Sequence, residues 1–173
     1  MKKSIVLVKT IMAASLLFFG CSNDNSPSCP DDFTGALDAT ETPLVGEWSF
    51  VSMVSEDEVD LTNDSMDNPS TDIYDQFSEC QQDVAYTFED DRGYTLKQGY
   101  VATNCTNKVA LNGTWKLTAG VLNFVADCYT NSIDIEFNED KTEFTFEKMY
   151  KFVDVDGHTV RSKVIFTYEK TPN

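Results

Sequence analysis

Leu111-Asn112-Gly113-Thr114-Trp115-Lys116-Leu117 alternates apolar and polar side chains. A period of two is the mark of a β-strand with one buried face. The same alternation recurs on both sides of it. Trp48 and Phe50 alternate with Glu47 and Ser49. Val84, Tyr86 and Phe88 form a second set, and Tyr94, Leu96 and Tyr100 a third. After 111–117 come Leu122 and Phe124, then Ile133, Ile135 and Phe137. Phe144, Phe146, Tyr150 and Phe152 make the seventh set, and Val160, Val164, Phe166 and Tyr168 the eighth.

Short turn sequences separate most of these sets: Asp90-Asp91-Arg92-Gly93, Ala119-Gly120, Asn138-Glu139-Asp140-Lys141 and Asp156-Gly157. Tight turns join antiparallel neighbours, whereas parallel strands need long crossovers. The expected fold is therefore all-β, an eight-stranded antiparallel up-and-down meander barrel. Closure removes the exposed edges that an open sheet would leave. One connection is long, residues 55–82, and long connections in compact domains commonly carry function. It is expected to form an ordered lid over one barrel mouth, with Tyr74 and Phe77 inward and its acids outward.

The chain opens with Lys2 and Lys3, an interrupted apolar run from Ile5 to Phe19, then Gly20-Cys21 and a polar stretch. That order describes an export signal and not a membrane span, which needs about 20 apolar residues. A small residue before a cysteine resembles the lipobox of bacterial lipoproteins, which implies lipid on Cys21. The expected organisation is a signal peptide over 1–20, a flexible tether over 21–43 and the barrel over 44–173. The expected address is the bacterial cell envelope, lipid-anchored at the outer membrane, on its periplasmic face or at the cell surface. Cleavage before Cys21 leaves 10 basic against 29 acidic residues, a net charge of −19. Such a surface excludes nucleic acid, which needs clustered Lys and Arg. It also leaves the lipid anchor as the means of membrane attachment.

Four further cysteines, Cys29, Cys80, Cys105 and Cys128, form an even set in an exported chain. An even set there reads as two disulfides, and the spacing does not suit a zinc site. If the second and third strands turn at Asp91-Arg92, with Asp90 facing Gly93, facing residue numbers total 183. Cys80 and Cys105 total 185, so they emerge nearly opposite each other. That expects a Cys80–Cys105 bond and, by elimination, a Cys29–Cys128 bond.

Leu44-Val45-Gly46-Glu47-Trp48 opens the first strand, and Leu111 to Leu117 repeats the Gly-x-Trp element. With the cysteine positions and the lipoprotein start, Leu44 to Lys170 resembles the lipocalin-like domain of small bacterial lipoproteins. The resemblance implies a barrel, a long lid-like first connection and an envelope address; it implies no particular activity. Taken without the family, each Gly leaves room for a ring or a crossing backbone, and each Trp reads first as a core plug.

The inward face supplies the ligand candidates Trp48, Phe50, Tyr86, Gln98, Tyr100, Trp115, Lys148 and Tyr150. Ser52 and Ser162 share that face by simple alternation. Lys148 has two readings, a cation inside a wet pocket or a residue turned outward by a bulge. The expected function is binding a small apolar or aromatic ligand. The alternative is a partner-binding subunit or inhibitor with a filled barrel, meeting an envelope protein through its loops and ends. No catalytic residues are assigned, and no cofactor is expected. The lone His158 follows Asp156-Gly157 in a turn, and a hydrolase built on two of the many acids is the remaining enzymatic option. Glu56, Asp57 and Glu58 are calcium candidates in the lid. Asp64-Ser65-Met66 resembles the tripeptide that some periplasmic systems O-glycosylate, which makes Ser65 a modification candidate.

Overall fold

The computed structural model describes residues 28–172, so the expected signal peptide and Cys21 lie outside the described residues. Ten strands form one antiparallel sheet. They are β1 (Gly46–Val59), β2 (Ser70–Asp72), β3 (Val84–Phe88), β4 (Gly93–Gln98), β5 (Val109–Thr118), β6 (Val121–Ala126), β7 (Tyr129–Asp134), β8 (Glu136–Phe137), β9 (Glu143–Val153) and β10 (Thr159–Lys170). The order around the sheet is β7-β6-β5-β4-β3-β1-β10-β9-β8, with β2 added beside β1. This is a nearly closed barrel in which the first strand meets the last.

The strand count exceeds the eight expected, for two reasons. The set Ile133-Ile135-Phe137 is broken at Ile135, whose N–H donates to the Gly120 carbonyl at 2.8 Å. Before the break β7 pairs with β6; after it β8 pairs with β9. The outer edges of β7 and β9 therefore part from each other toward one end, leaving an open seam. The second addition, β2, comes from the long connection.

One end is closed and one is open. The Glu89–Arg92, Ala119-Gly120 and Asn138–Thr142 turns gather at the closed end with the start of β1. Trp48, Trp115, Phe88 and Phe144 are fully buried above them. Trp48 Nε1 donates to the Leu44 carbonyl at 2.6 Å, and the Trp48 ring packs 4.9 Å from Phe144. Gly113 shows why glycine precedes Trp115 by two residues. A Cβ there would fall on the Val125 carbonyl oxygen and lie 2.8 Å from the Tyr94 ring. Gly113→Ala should therefore lower the urea midpoint by an amount equivalent to roughly 1–3 kcal/mol, the range of a forced overpacking.

Residues 28–44 are not the free tether expected over 21–43. Cys29 is bonded to Cys128, Phe33 N–H donates to Thr114 Oγ1 at 2.9 Å, and Leu37 packs on the core. The segment straps the outside of the barrel and ends in a short 3-10 turn, Thr42–Leu44. Its anchor is a buried ion pair. Arg92 Nη1 and Nη2 each donate to a Glu41 carboxylate oxygen at 2.7 Å. Arg92 also donates to the Gly35 and Ala36 carbonyls at 3.0 Å.

Two register expectations are corrected. In the β3–β4 hairpin Phe88 faces Tyr94 and Val84 faces Gln98, so facing numbers total 182 and not 183. The loop is three residues, Asp90-Asp91-Arg92, with Arg92 in the left-handed region at φ 75°. That is the three-residue hairpin geometry in which the last position is usually glycine. In β1 the pairing with β10 slips between Phe50 and Ser52, so Val51 is an extra residue. The bulge switches the buried phase from Trp48 and Phe50 to Met53 and Ser55. Ser52 accordingly leaves the buried face, whereas Ser162 stays on it, 1% exposed.

Candidate functional site

The open half of the barrel contains a cleft of about 240 Å³ beside β7. β3 contributes Tyr86, β4 contributes Tyr94 and Leu96, β5 contributes Leu111, and β6 contributes Phe124. Asp127, Tyr129, Thr130 and Asn131 form a polar rim on the β6–β7 hairpin. That hairpin turns at Asp127 and Cys128, both in the left-handed region at φ 48° and 65°. Such a two-residue turn matches the twist of its strands, and Asp tolerates the conformation. The turn brings Asp127 toward Tyr94 and sets Tyr129 across the opening.

The floor is apolar and largely aromatic. Tyr86 stacks on Phe124 at 5.8 Å and meets Tyr168 at 5.3 Å. Tyr94 meets Phe124 edge-on at 4.8 Å. Beyond Tyr168 the stack continues through Phe146 and Phe166, 4.8 Å apart, to Tyr150, 6.3 Å from Phe166. Faces and edges of this kind suit a flat apolar or aromatic guest.

Burial dominates the tyrosine chemistry. It pushes the Tyr86 phenol up to about 12, with Tyr94 as a second cause. It also raises Tyr94, helped by the Asp127 carboxylate, and raises Tyr168 further. A raised tyrosine keeps its neutral form in the folded state. The resulting stability is complete below the ordinary tyrosine range, near 10, and is lost as pH rises through the folded value. Ultraviolet titration at rising pH should show a late phenol transition at about 12 that belongs to Tyr86. A Tyr86→Phe variant that keeps that transition would contradict the assignment.

The ligand candidates read from the sequence separate into groups. Tyr86 lines the cleft. Trp48 and Trp115 are fully buried at the closed end, so neither ring reaches a guest there. Phe50 is core, edge-on to Tyr74 at 5.1 Å. Gln98 lines a separate groove with Cys80 and Asn104. Tyr100 is 46% exposed in the β4–β5 loop, with Lys97 Nζ and Lys108 Nζ at 5.8 and 5.3 Å from its ring. Tyr150 and Lys148 lie on the free edge of β9, both exposed. Lys148 faces Val164 in an unbroken ladder of pairs from Glu143 to Val153. No bulge turns it outward: it keeps the inner phase and meets solvent through the open seam.

β1 runs on to Val59, so the acids expected at the start of the lid lie on a strand. Alternation then sets Asp57 on the opposite face of the strand from Glu56 and Glu58. Glu56 pairs with Lys163 at 3.1 Å. Among the described residues no group of three or more His, Cys, Asp or Glu side chains is placed to hold a metal ion. The lid proper holds Tyr74, whose hydroxyl donates to the Phe50 carbonyl at 3.3 Å, and Phe77, packed on the core. It is closed by the helical turn Glu79–Gln82 and the Cys80–Cys105 bond, with Cα atoms 5.6 Å apart. Ser65 sits at an exposed tip at φ 70°. His158 is exposed in the β9–β10 turn, 3.3 Å from Asp154.

Sequence reasoning placed Tyr94, Leu96, Leu111 and Phe124 on inward faces without assigning them to a site. It missed Asp127, Tyr129, Thr130 and Asn131 altogether. The usable signal was Asp127 itself, a turn-former lying between two alternating sets.

The fold and the cleft define an antiparallel barrel with an aromatic-lined opening and two disulfides, a combination suited to an oxidising, non-cytoplasmic compartment. Residues 22–171 match the family described as "Domain of unknown function (DUF5004)", and the chain belongs to that family. The match begins upstream of β1 and so includes the strap. Comparison with curated proteins returned no match.

Proposed function

We propose that the protein is an exported, lipid-anchored barrel that holds one small apolar or aromatic ligand in the cleft between β3–β6 and the β6–β7 hairpin. The lipid is on Cys21, and the address is the outer membrane of a bacterial envelope. The observation that carries the reading is the cleft: about 240 Å³, floored by Tyr86, Tyr94, Leu96, Leu111 and Phe124. An apolar cavity of about 150 Å³ admits benzene, so this one suits a one- or two-ring guest. Polar groups are few, the Tyr86 and Tyr94 hydroxyls and the rim side chains Asp127, Thr130 and Asn131, and they can orient a guest. The reading involves no catalytic step and no metal.

Titration calorimetry with indole and 1-naphthol tests it. Binding is expected in wild type and should weaken by roughly tenfold or more in Ala126→Phe, where the new ring fills the cleft. Circular dichroism checks that the variant is folded. Equal heats in both proteins would remove the cleft as the site. The alternative, a partner-binding subunit or inhibitor, draws on the filled closed half of the barrel. It gains if no one- or two-ring compound binds.

A further inference from the structure

The barrel's exposed apolar side chains are unevenly placed. Seven of the eleven large ones lie in or beside connections at the open end. Three of these are on the lid side: Met66, Val153 and Val155. The other four surround the cleft side: Tyr100, Val101, Val109 and Tyr129, with Val101 86% and Tyr129 79% exposed. The closed-end turns expose no large apolar side chain among the described residues. Clustered apolar exposure of this kind marks a contact surface.

Three further observations decide what it contacts. First, Cys29 is bonded to Cys128 in the β6–β7 turn, so Cys29 is fixed at this rim. Second, Cys21 precedes Cys29 by eight residues, so a lipid on Cys21 lies within roughly 28 Å of the rim. Third, the cleft side carries Tyr100 with Lys97 and Lys108 against its ring. Tyrosine beside lysine is a composition suited to a headgroup layer. The acids Asp60, Asp64, Asp67 and Asp156 sit across the open end, on the lid side with Met66 and Val155, whereas the cleft side carries Asp127 and Asp83, the latter accepting the Val101 and Ala102 N–H groups.

We infer that the rim formed by Tyr100, Val101, Val109 and Tyr129 rests on the bilayer surface, with the cleft mouth facing lipid. The inference rests on the lipid anchor of the proposed function and adds the orientation. It places the entry of an apolar ligand at the phase in which such ligands concentrate.

Hydrogen exchange on the full, lipidated chain in phosphatidylcholine vesicles tests it, with the Cys21→Ser chain in solution as reference. Flotation reads the anchor, and exchange reads the rim. Peptides over 99–111 and 127–131 should exchange roughly threefold or more slowly on vesicles, while the turns at 89–92, 119–120 and 138–142 stay unchanged. Val101→Ser with Tyr129→Ser should abolish that protection while flotation persists. A chain that floats with an unprotected rim overturns the inference and leaves the anchor standing. Protection of the closed-end turns overturns it also. A chain that does not float removes the anchor, and the inference with it. Rim protection in the Cys21→Ser chain without vesicles, together with a doubled mass in solution, assigns the patch to a second copy and overturns the bilayer contact.

Discussion

Arg92→Ala should destabilise the barrel by about 3–5 kcal/mol, the cost of leaving a buried carboxylate without its partner. The Glu41 side chain is 1% exposed and Arg92 6%. Each guanidinium nitrogen has an acceptor on the strap or on Glu41, and the Leu117 N–H donates to Glu41 at 3.3 Å. Removing Arg92 therefore leaves several groups unsatisfied at once. The double variant Arg92→Met, Glu41→Leu should recover most of the loss, because an apolar pair avoids desolvating two charges. Urea unfolding of the three proteins measures both effects; a double variant no better than Arg92→Ala would show that the strap depends on the ion pair's hydrogen bonds. The pair also sets the acid limb. The hydrogen bond from Arg92 holds the Glu41 carboxyl below the usual glutamate range. Its contribution is present above that range and is lost as pH falls through the folded value. The double variant should lose that part of the acid dependence.

The second large effect belongs to the disulfide on the strap. Cys29→Ser with Cys128→Ser opens a loop spanning 99 residues. Restricting an unfolded loop of about 100 residues is worth roughly 4.7 kcal/mol on the chain-entropy account. Cys80→Ser with Cys105→Ser opens one of only 25 residues and should cost roughly 3.5 kcal/mol on the same account. Calorimetric melting of the two paired variants is expected to rank them in that order. Exchange should quicken over residues 28–37 in the first variant alone. A larger loss from the shorter loop would mean that the lid, and not the strap, limits the barrel.

Alternation made most strands legible, because each has one buried face. It failed where a single residue breaks the period. Val51 is extra in β1 and carries no Gly or Pro, so Met53 and Ser55 exchanged faces with Ser52 unannounced. Arg92 fills a left-handed position that glycine usually marks, and its reward is the contact with Glu41, 51 residues away. The strap reads as loose because its composition is polar; its fastening comes from one disulfide and one ion pair, neither of which composition records. The cleft was half legible for the same reason. Its floor lies on alternating strands, whereas Asp127 and Tyr129 lie on a hairpin whose turn carries neither Gly nor Pro and has Asp127 as its one turn-forming residue.

The meeting of β1 with β10 has a consequence for how the chain acquires its shape. Phe50 pairs with Tyr168, and Trp48 with Lys170. The barrel therefore cannot close until β10 has been synthesised, and the contacts that complete it lie far apart in sequence. Such topologies fold slowly, in milliseconds to seconds, because loop closure precedes any reward. The β3–β6 meander is local and can assemble early, but Trp48 has no finished pocket until Phe137 and Phe144 arrive. The early meander thus waits as an open sheet, and commitment to the closed form falls to the final strand pairing of β1 with β10.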